Sequence, residues 1–293
     1  MPRKMLISGI ILLLLFSAFP AAGKSFETDR LIVRDIAGQL APGRFEQLAA
    51  RIDATLAEVI NFWSAQPKST ELGKIIVELE QPLPGDVATS FFLQRQENGR
   101  KVRVIRVFGG TDHPRQLAHK LTSALFPHPD ILIRNMMGEA AESRFGNPLS
   151  FPMCGFNKNE WVMALLQADA YIPIAHMGPE QGDWGKEIVN NTPTVKDRRR
   201  QHACYLEAGS FGEFLINAYG IEKMKKFYRL SKNKPRPWEE AFGAALENLE
   251  AKWLEEIKLS TGSKAANVAT LLNLWRINPG TACFAAQDLA AGK

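Results

Sequence analysis

No glycine-rich phosphate loop, CxxC pair or calcium-binding acidic loop occurs in this chain, so nucleotide hydrolysis, thiol exchange and EF-hand-type calcium sensing lack their usual sequence carriers. Internal repeats, heptads and low-complexity tracts are absent too, which removes solenoids, coiled coils and long disordered linkers. Charge of one sign is scarce. The formal balance is +5, and loss of Arg3 and Lys4 with an N-terminal leader would reduce it to +3. That excess is too small to argue for nucleic acid, and the densest basic run, Lys196 to Arg200, has no interleaved aromatics and reads as a solvated loop. Long apolar runs are confined to the first residues. There Arg3 and Lys4 precede an apolar stretch from Met5 to Phe16, and Ala21 and Gly23 occupy the small-residue positions that a signal peptidase reads.

Residues 1–23 are therefore expected to be a signal peptide cleaved after Gly23, with the mature protein periplasmic or secreted. The competing reading is an uncleaved N-terminal membrane anchor, although the run is short for a span and Pro20 interrupts its end. No later segment approaches a membrane span, and no cysteine stands at the cleavage site to accept a lipid. Cysteine is sparse as well. Cys154, Cys204 and Cys283 would meet an oxidising compartment, giving one disulfide and one remaining thiol, with the pairing open.

What is present is ordinary globular material: 293 residues, 45% hydrophobic and 23% charged. Arg30 to Arg34 alternates like a half-buried strand. Pro42 and Gly43 open a helix in which Phe45, Leu48, Ile52, Leu56 and Val59 form one apolar stripe suited to covering a sheet. Lys74 to Glu80 is the next strand, Pro82 to Gly85 a turn, and Phe91 to Gln96 and Val102 to Phe108 are strands joined through Glu97-Asn98-Gly99. Residues 24–108 thus read as a small mixed α/β lobe with a short sheet. Residues 109–260 read as a mainly helical lobe, and 261–293 as a weakly patterned C-terminal tail, so the fold class is α+β.

Thr111 or Asp112, with Pro114 behind it, is a good helix start. In the helix that follows, Leu117, Leu121 and Leu125 make the buried stripe, while His119 and Ser123 share the opposite face. Phe126 to Pro129 breaks it, and a second helix starts near Asp130 and carries Glu139 and Glu142 one turn apart. Trp161 to Ala170 reads helical and Tyr171 to Val195 irregular. Helical pattern resumes from Cys204, and a last clear helix is expected from Trp238 to Ile257.

Four stretches in order, QLAHKLTSAL (116–125), NMMGEAAESRFG (135–146), YLEAGSFGEFLINAYG (205–220) and FGAALENLEAKW (242–253), resemble the peptidase MA-like gluzincin family of zincin-like metallopeptidases. The similarity spans roughly residues 26 to 260. That family reads H-E-x-x-H on one helix and takes a glutamate from the next, the two histidines and that glutamate holding zinc. By this resemblance His119 matches the first zinc histidine and Glu139 is the best candidate for the third ligand. Lys120 stands at the general-base position and Ser123 at the second histidine. An ammonium cannot take the proton of a metal-bound water at neutral pH, and a hydroxyl is a poor zinc ligand. The resemblance therefore implies a zincin-like scaffold without catalysis, no resident cofactor, and a former active-site cleft that binds a peptide or protein, with strand Val102 to Phe108 as the edge along which an extended chain adds.

The enzyme-class alternative is a metal-dependent hydrolase with an atypical ligand set of His119 and Glu139, completed by His113, His128 or His176. Three other readings remain. Lys120 and Ser123 could form a Ser-Lys dyad, Cys154 or Cys204 could be a nucleophile, and Glu139 and Glu142 could be solvated charges or pair with Lys120 and Arg144. The sequence leaves the oligomeric state open.

Overall fold

A computed structural model describes residues 24–65, 73–82, 89–109, 116–189 and 192–292. The leader at 1–23, most of the Pro82 to Gly85 turn, the helix start at Thr111 to Pro114 and His113 lie outside these residues.

The architecture is α+β. Strands β1 (Ser25–Glu27), β2 (Leu31–Asp35), β3 (Ile75–Glu80), β4 (Thr89–Glu97) and β5 (Arg100–Phe108) form one mixed sheet in the order β1-β2-β3-β5-β4. β2, β3 and β5 run parallel, and helix α1 (Pro42–Phe62) connects β2 to β3. Alternation puts Leu31, Val33, Val77, Leu79, Ile105 and Val107 on one face, where they pack with Phe45, Leu48, Ile52 and Leu56 of α1. Each large side chain so buried contributes about 1.5–3 kcal/mol. The opposite face is a lattice of charge in which Glu78 pairs with Arg34 and Arg95, and Glu80 with Arg106. β4 and β5 join through Asn98 and Gly99, both at positive φ (50° and 75°), the backbone of a two-residue hairpin turn that asparagine and glycine adopt readily.

This order corrects one expectation. β5 is flanked by β3 and β4, so the strand at the free edge is β4, which among the described residues pairs only with β5. A hairpin connection places β4 outside the parallel core strands, which is why the later strand in sequence is the inner one.

Beyond the sheet the chain is largely helical: α2 (Leu117–Leu125), α3 (Ile131–Phe145), α4 (Lys158–Gln167), α5 (Arg198–Tyr219), α6 (Ile221–Leu230), α7 (Trp238–Phe242), α8 (Leu246–Thr261), α9 (Ala265–Ile277) and α10 (Ala282–Ala290). α3 and α5 pack on each other at the centre of a second apolar core that contains Trp161, Phe211, Phe227 and Trp253. Several boundaries differ from those the sequence suggests. Asp197 caps α5 by accepting from Arg200 N–H at 2.9 Å, so the arginines of the basic run begin the helix instead of ending a loop. Gly243, at φ 81°, divides the expected helix from Trp238 into α7 and α8. The crossing between α4 and α5 holds a short hairpin, β6 (Lys186–Val189) with β7 (Thr192–Val195). The stretch after residue 260 forms α9, seated on α4, and α10, and the Cys154–Cys283 disulfide ties α10 to the loop after α3.

Among the described residues no helix is long and apolar enough to cross a membrane.

Candidate functional site

α2 is buried on every side. His119, Lys120, Thr122 and Ser123 are as inaccessible as Leu117 and Leu121, because α3 covers the face that the sequence marks as polar. His119 and Glu139 do converge across the helix pair. His119 Nδ1 lies 2.8 Å from Glu139 Oε1, the His119 backbone N–H donates to Glu142 Oε2 at 3.1 Å, and Ser123 Oγ donates to the His119 carbonyl at 3.1 Å. The imidazole is held against the α3 backbone: a methyl group on Gly138 would stand 2.7 Å from His119 Nε2. Burial, reinforced by Lys120, Arg134, Lys186 and Lys158, pushes the His119 pKa well below its usual value. A neutral ring is thereby favoured, with Nδ1 the nitrogen that shares a hydrogen bond with Glu139.

Glu139 and Glu142 are fully buried, so neither is a solvated helix charge, and Arg144 instead donates to the Ala140 carbonyl at 2.7 Å. Burial raises the Glu139 pKa, opposed chiefly by Lys158. It also pushes Glu142 up to about 7, with Glu139 adding repulsion. Lys158, itself only 3% exposed, reaches in from the first turn of α4. Its ammonium donates to the Glu139 carbonyl at 2.8 Å and to Glu213 Oε1 at 2.9 Å, and stands 3.4 Å from Glu139 Oε2. Gly209 on α5 gives it passage, since a methyl group there would lie 2.9 Å from both the Lys158 side chain and Glu139 Cβ. The capping box Asn157/Glu160 fixes the helix end from which Lys158 projects.

These residues do not fit a zinc ion. Two ligands at about 2.0–2.1 Å from a tetrahedral zinc are separated by roughly 3.3 Å, whereas His119 Nδ1 and Glu139 Oε1 are in direct hydrogen-bond contact at 2.8 Å. The positive charge beside Glu139 is already supplied by Lys158. Among the described residues no third ligand arrives: His176 is exposed in a short 3-10 turn, and His128 accepts from Asp130 N–H and meets Ser231 Oγ beside α6. The one group of three ligand-type side chains close enough to share an ion, among the described residues, is Cys154, His202 and Cys283, and there the two sulfurs are joined as a disulfide. Cys204 is the remaining thiol, buried and pushed up to about 12, which makes it a poor nucleophile. Ser123 spends its proton on the His119 carbonyl, so Lys120 and Ser123 do not form a dyad.

A cavity of about 220 Å³ opens on the other side of this arrangement, between β4, α2, α3, the β6–β7 hairpin, α5 and α10. His119 and Glu139 are not in its lining; Lys120 and Ser123 are. Four cations, Lys120, Arg134, Lys186 and Arg198, line it, and among the described residues no carboxylate does. Burial lowers Lys120 to about 8 and Lys186 to about 7, and Arg134 pushes both the same way. Lys186 donates to the Tyr205 hydroxyl and stands 4.3 Å over the Tyr205 ring.

Sequence reasoning singles out Lys120 but treats it as a loss of function, and it misses Arg134, Lys158 and Lys186. Arg134 sits among apolar residues of α3 and Lys186 in a hairpin not visible as strands, so neither carries a local pattern. Lys158 has a signal in retrospect: it follows an asparagine cap at the first position of a helix, where a cation opposes the helix dipole and needs a specific partner. Neither a family model, nor a curated protein, nor a solved structure matches the chain.

Proposed function

We propose that the chain is an exported, catalytically silent protein of zincin-like build, whose former active-site cleft holds a peptide or protein partner. The observation that carries this reading is the engagement of Glu139, hydrogen-bonded by a neutral His119 at 2.8 Å with the Lys158 ammonium beside it. A metallopeptidase of this build needs a metal where these side chains meet each other. An internal ion pair gives the same charge balance with no electrophile and no activated water. The free edge of β4 runs past the cavity mouth through Thr89 to Phe92, and offers backbone donors and acceptors to an extended segment. The Cys154–Cys283 bond is in keeping with an oxidising destination.

The test is the metal content and peptidase activity of the mature protein purified without added metal. The expected result is no stoichiometric zinc and no cleavage of a broad peptide mixture. Near one zinc per chain, abolished by His119→Ala, would overturn the proposal in favour of a hydrolase with an atypical ligand set.

A further inference from the structure

The cavity is charged in a way that a purely structural interior would not tolerate. Lys120 is 7% exposed, and among the described residues neither it, Arg134 nor Lys186 forms an ion pair with a carboxylate. The buried Lys158 is paired, with Glu139 and Glu213, whereas the buried Arg103 has no carboxylate and is held by the Ala124 and Gly73 carbonyls. Lys120 is buried, Arg134 and Lys186 are half-buried and Arg198 is exposed, and gathering like charges in one partly desolvated space is unfavourable unless a counter-charge arrives. A second observation points the same way. Asn135, 1% exposed and part of the lining, has an Nδ2 donor with no hydrogen-bond partner. The rest of the wall is mixed, with Phe91, Phe151 and Phe284 beside polar side chains such as Gln116, Gln181 and Gln201.

We infer that this cavity binds an organic anion, its carboxylate or phosphate held by Lys120, Arg134, Lys186 and Asn135 and its aromatic or aliphatic body packed among Phe91, Phe151 and Phe284. The guanidinium of Arg134 gives a two-pronged contact, and the ammonium groups and the amide supply the remaining donors. The size of the cavity suits one ring with its head group better than a long chain. The inference needs the cavity and not the zincin-like scaffold or a peptide partner, so it stands or falls separately from the proposed function.

The experiment is calorimetric titration of the mature protein with three probes that share a phenyl body: 3-phenylpropionate, phenyl phosphate and the uncharged 3-phenylpropionamide. At least one anion should bind about tenfold or more tightly than the amide, and binding should weaken as salt is raised. The tighter of the two anions identifies the head group. Arg134→Gln and Lys120→Met should each weaken that anion about tenfold or more. Lys120→Met should also hold or raise the melting temperature, because it replaces an uncompensated buried charge with an apolar chain of similar shape. The Lys120 result is read only if that temperature is maintained, with Arg134→Gln as the independent variant. Equal affinity for the amide, no binding of either anion at millimolar concentration, or unchanged affinity in both variants would overturn the inference.

Discussion

Replacing Lys158 with methionine tests the idea that an internal cation has taken over the electrostatic task a metal performs in a zincin. The side chains are close in volume, so packing changes little and the loss is mainly of charge. In the wild type the ammonium touches the Glu139 carbonyl at 2.8 Å and Glu213 at 2.9 Å, with Glu139 Oε2 at 3.4 Å. Glu139 is 0% exposed, so removing Lys158 strands a carboxylate that water cannot reach. Breaking a buried pair by removing one partner costs about 3–5 kcal/mol, a large share of the roughly 5–15 kcal/mol by which a domain is stable. Urea denaturation of Lys158→Met should show that loss, and adding Glu139→Gln should recover part of it, because the neutral amide can still accept from His119. A coupling of at least about 1 kcal/mol is expected for side chains in contact. A single-mutant loss below about 1 kcal/mol, within the range of an exposed pair, would refute the reasoning, as would a double mutant no better than the single.

Two further outcomes follow from the structure. Lys186 is lowered to about 7 by burial and by Arg134, with Glu139 and Cys204 acting in the opposite direction. Between that value and its unfolded pKa of about 10.4 the unfolded chain binds the extra proton, so Lys186 makes stability rise with pH across this window. Denaturation midpoints of the wild type and Lys186→Met should therefore converge as pH increases, and a gap independent of pH would count against the assignment. The disulfide closes a loop with a sequence separation of 129 residues, from the turn after α3 to α10. Replacing Cys154 and Cys283 together by serine should remove about 2–5 kcal/mol, read as a lower melting temperature and earlier proteolysis at α10. Identical melting of oxidised wild type and the double variant would exclude the bond.

How much could be read in advance depends on what a residue's partners are. The sheet lobe was legible because its determinants are local: period-two alternation in RLIVR, the β-branched run of KIIVELE, an uninterrupted stripe on α1, and Asn98-Gly99 for the turn. α2 and α3 were legible as helices but not as surroundings. His119 and Ser123 lie opposite the leucine stripe, which for an isolated helix predicts solvent. Here Leu117 and Leu121 face the sheet core while α3 covers the far side, so both faces are interior. The β6–β7 hairpin escaped because the residues of β6 are intermediate or exposed, with no alternation to find. α9 escaped because the stripe of Val268, Leu271 and Trp275 is brief and acquires meaning only against α4.

The distribution of charge inside the molecule then separates scaffold from site. Every fully buried carboxylate near α2 and α3 has an internal donor: Glu139 has His119 and Gln116, Glu142 the His119 backbone, and Glu207 the Ile172 backbone at 3.1 Å. Each acid satisfies a donor that would otherwise be stranded, although Glu139 Oε2 meets only the Lys158 ammonium at 3.4 Å and Glu142 Oε1 has no hydrogen-bond partner among the described residues. The cations of the cavity have no carboxylate among the described residues, Lys186 meeting only the Tyr205 hydroxyl and ring. Lys120 projects from the helix that carries His119 but enters the cavity, whereas His119 turns toward Glu139. One turn of α2 thus has a histidine whose needs are met internally beside a lysine whose needs are not. An interior settled by packing would have satisfied or discarded the second as it did the first, so the position at which the resemblance marks a lost base is also where the structure asks for an anion.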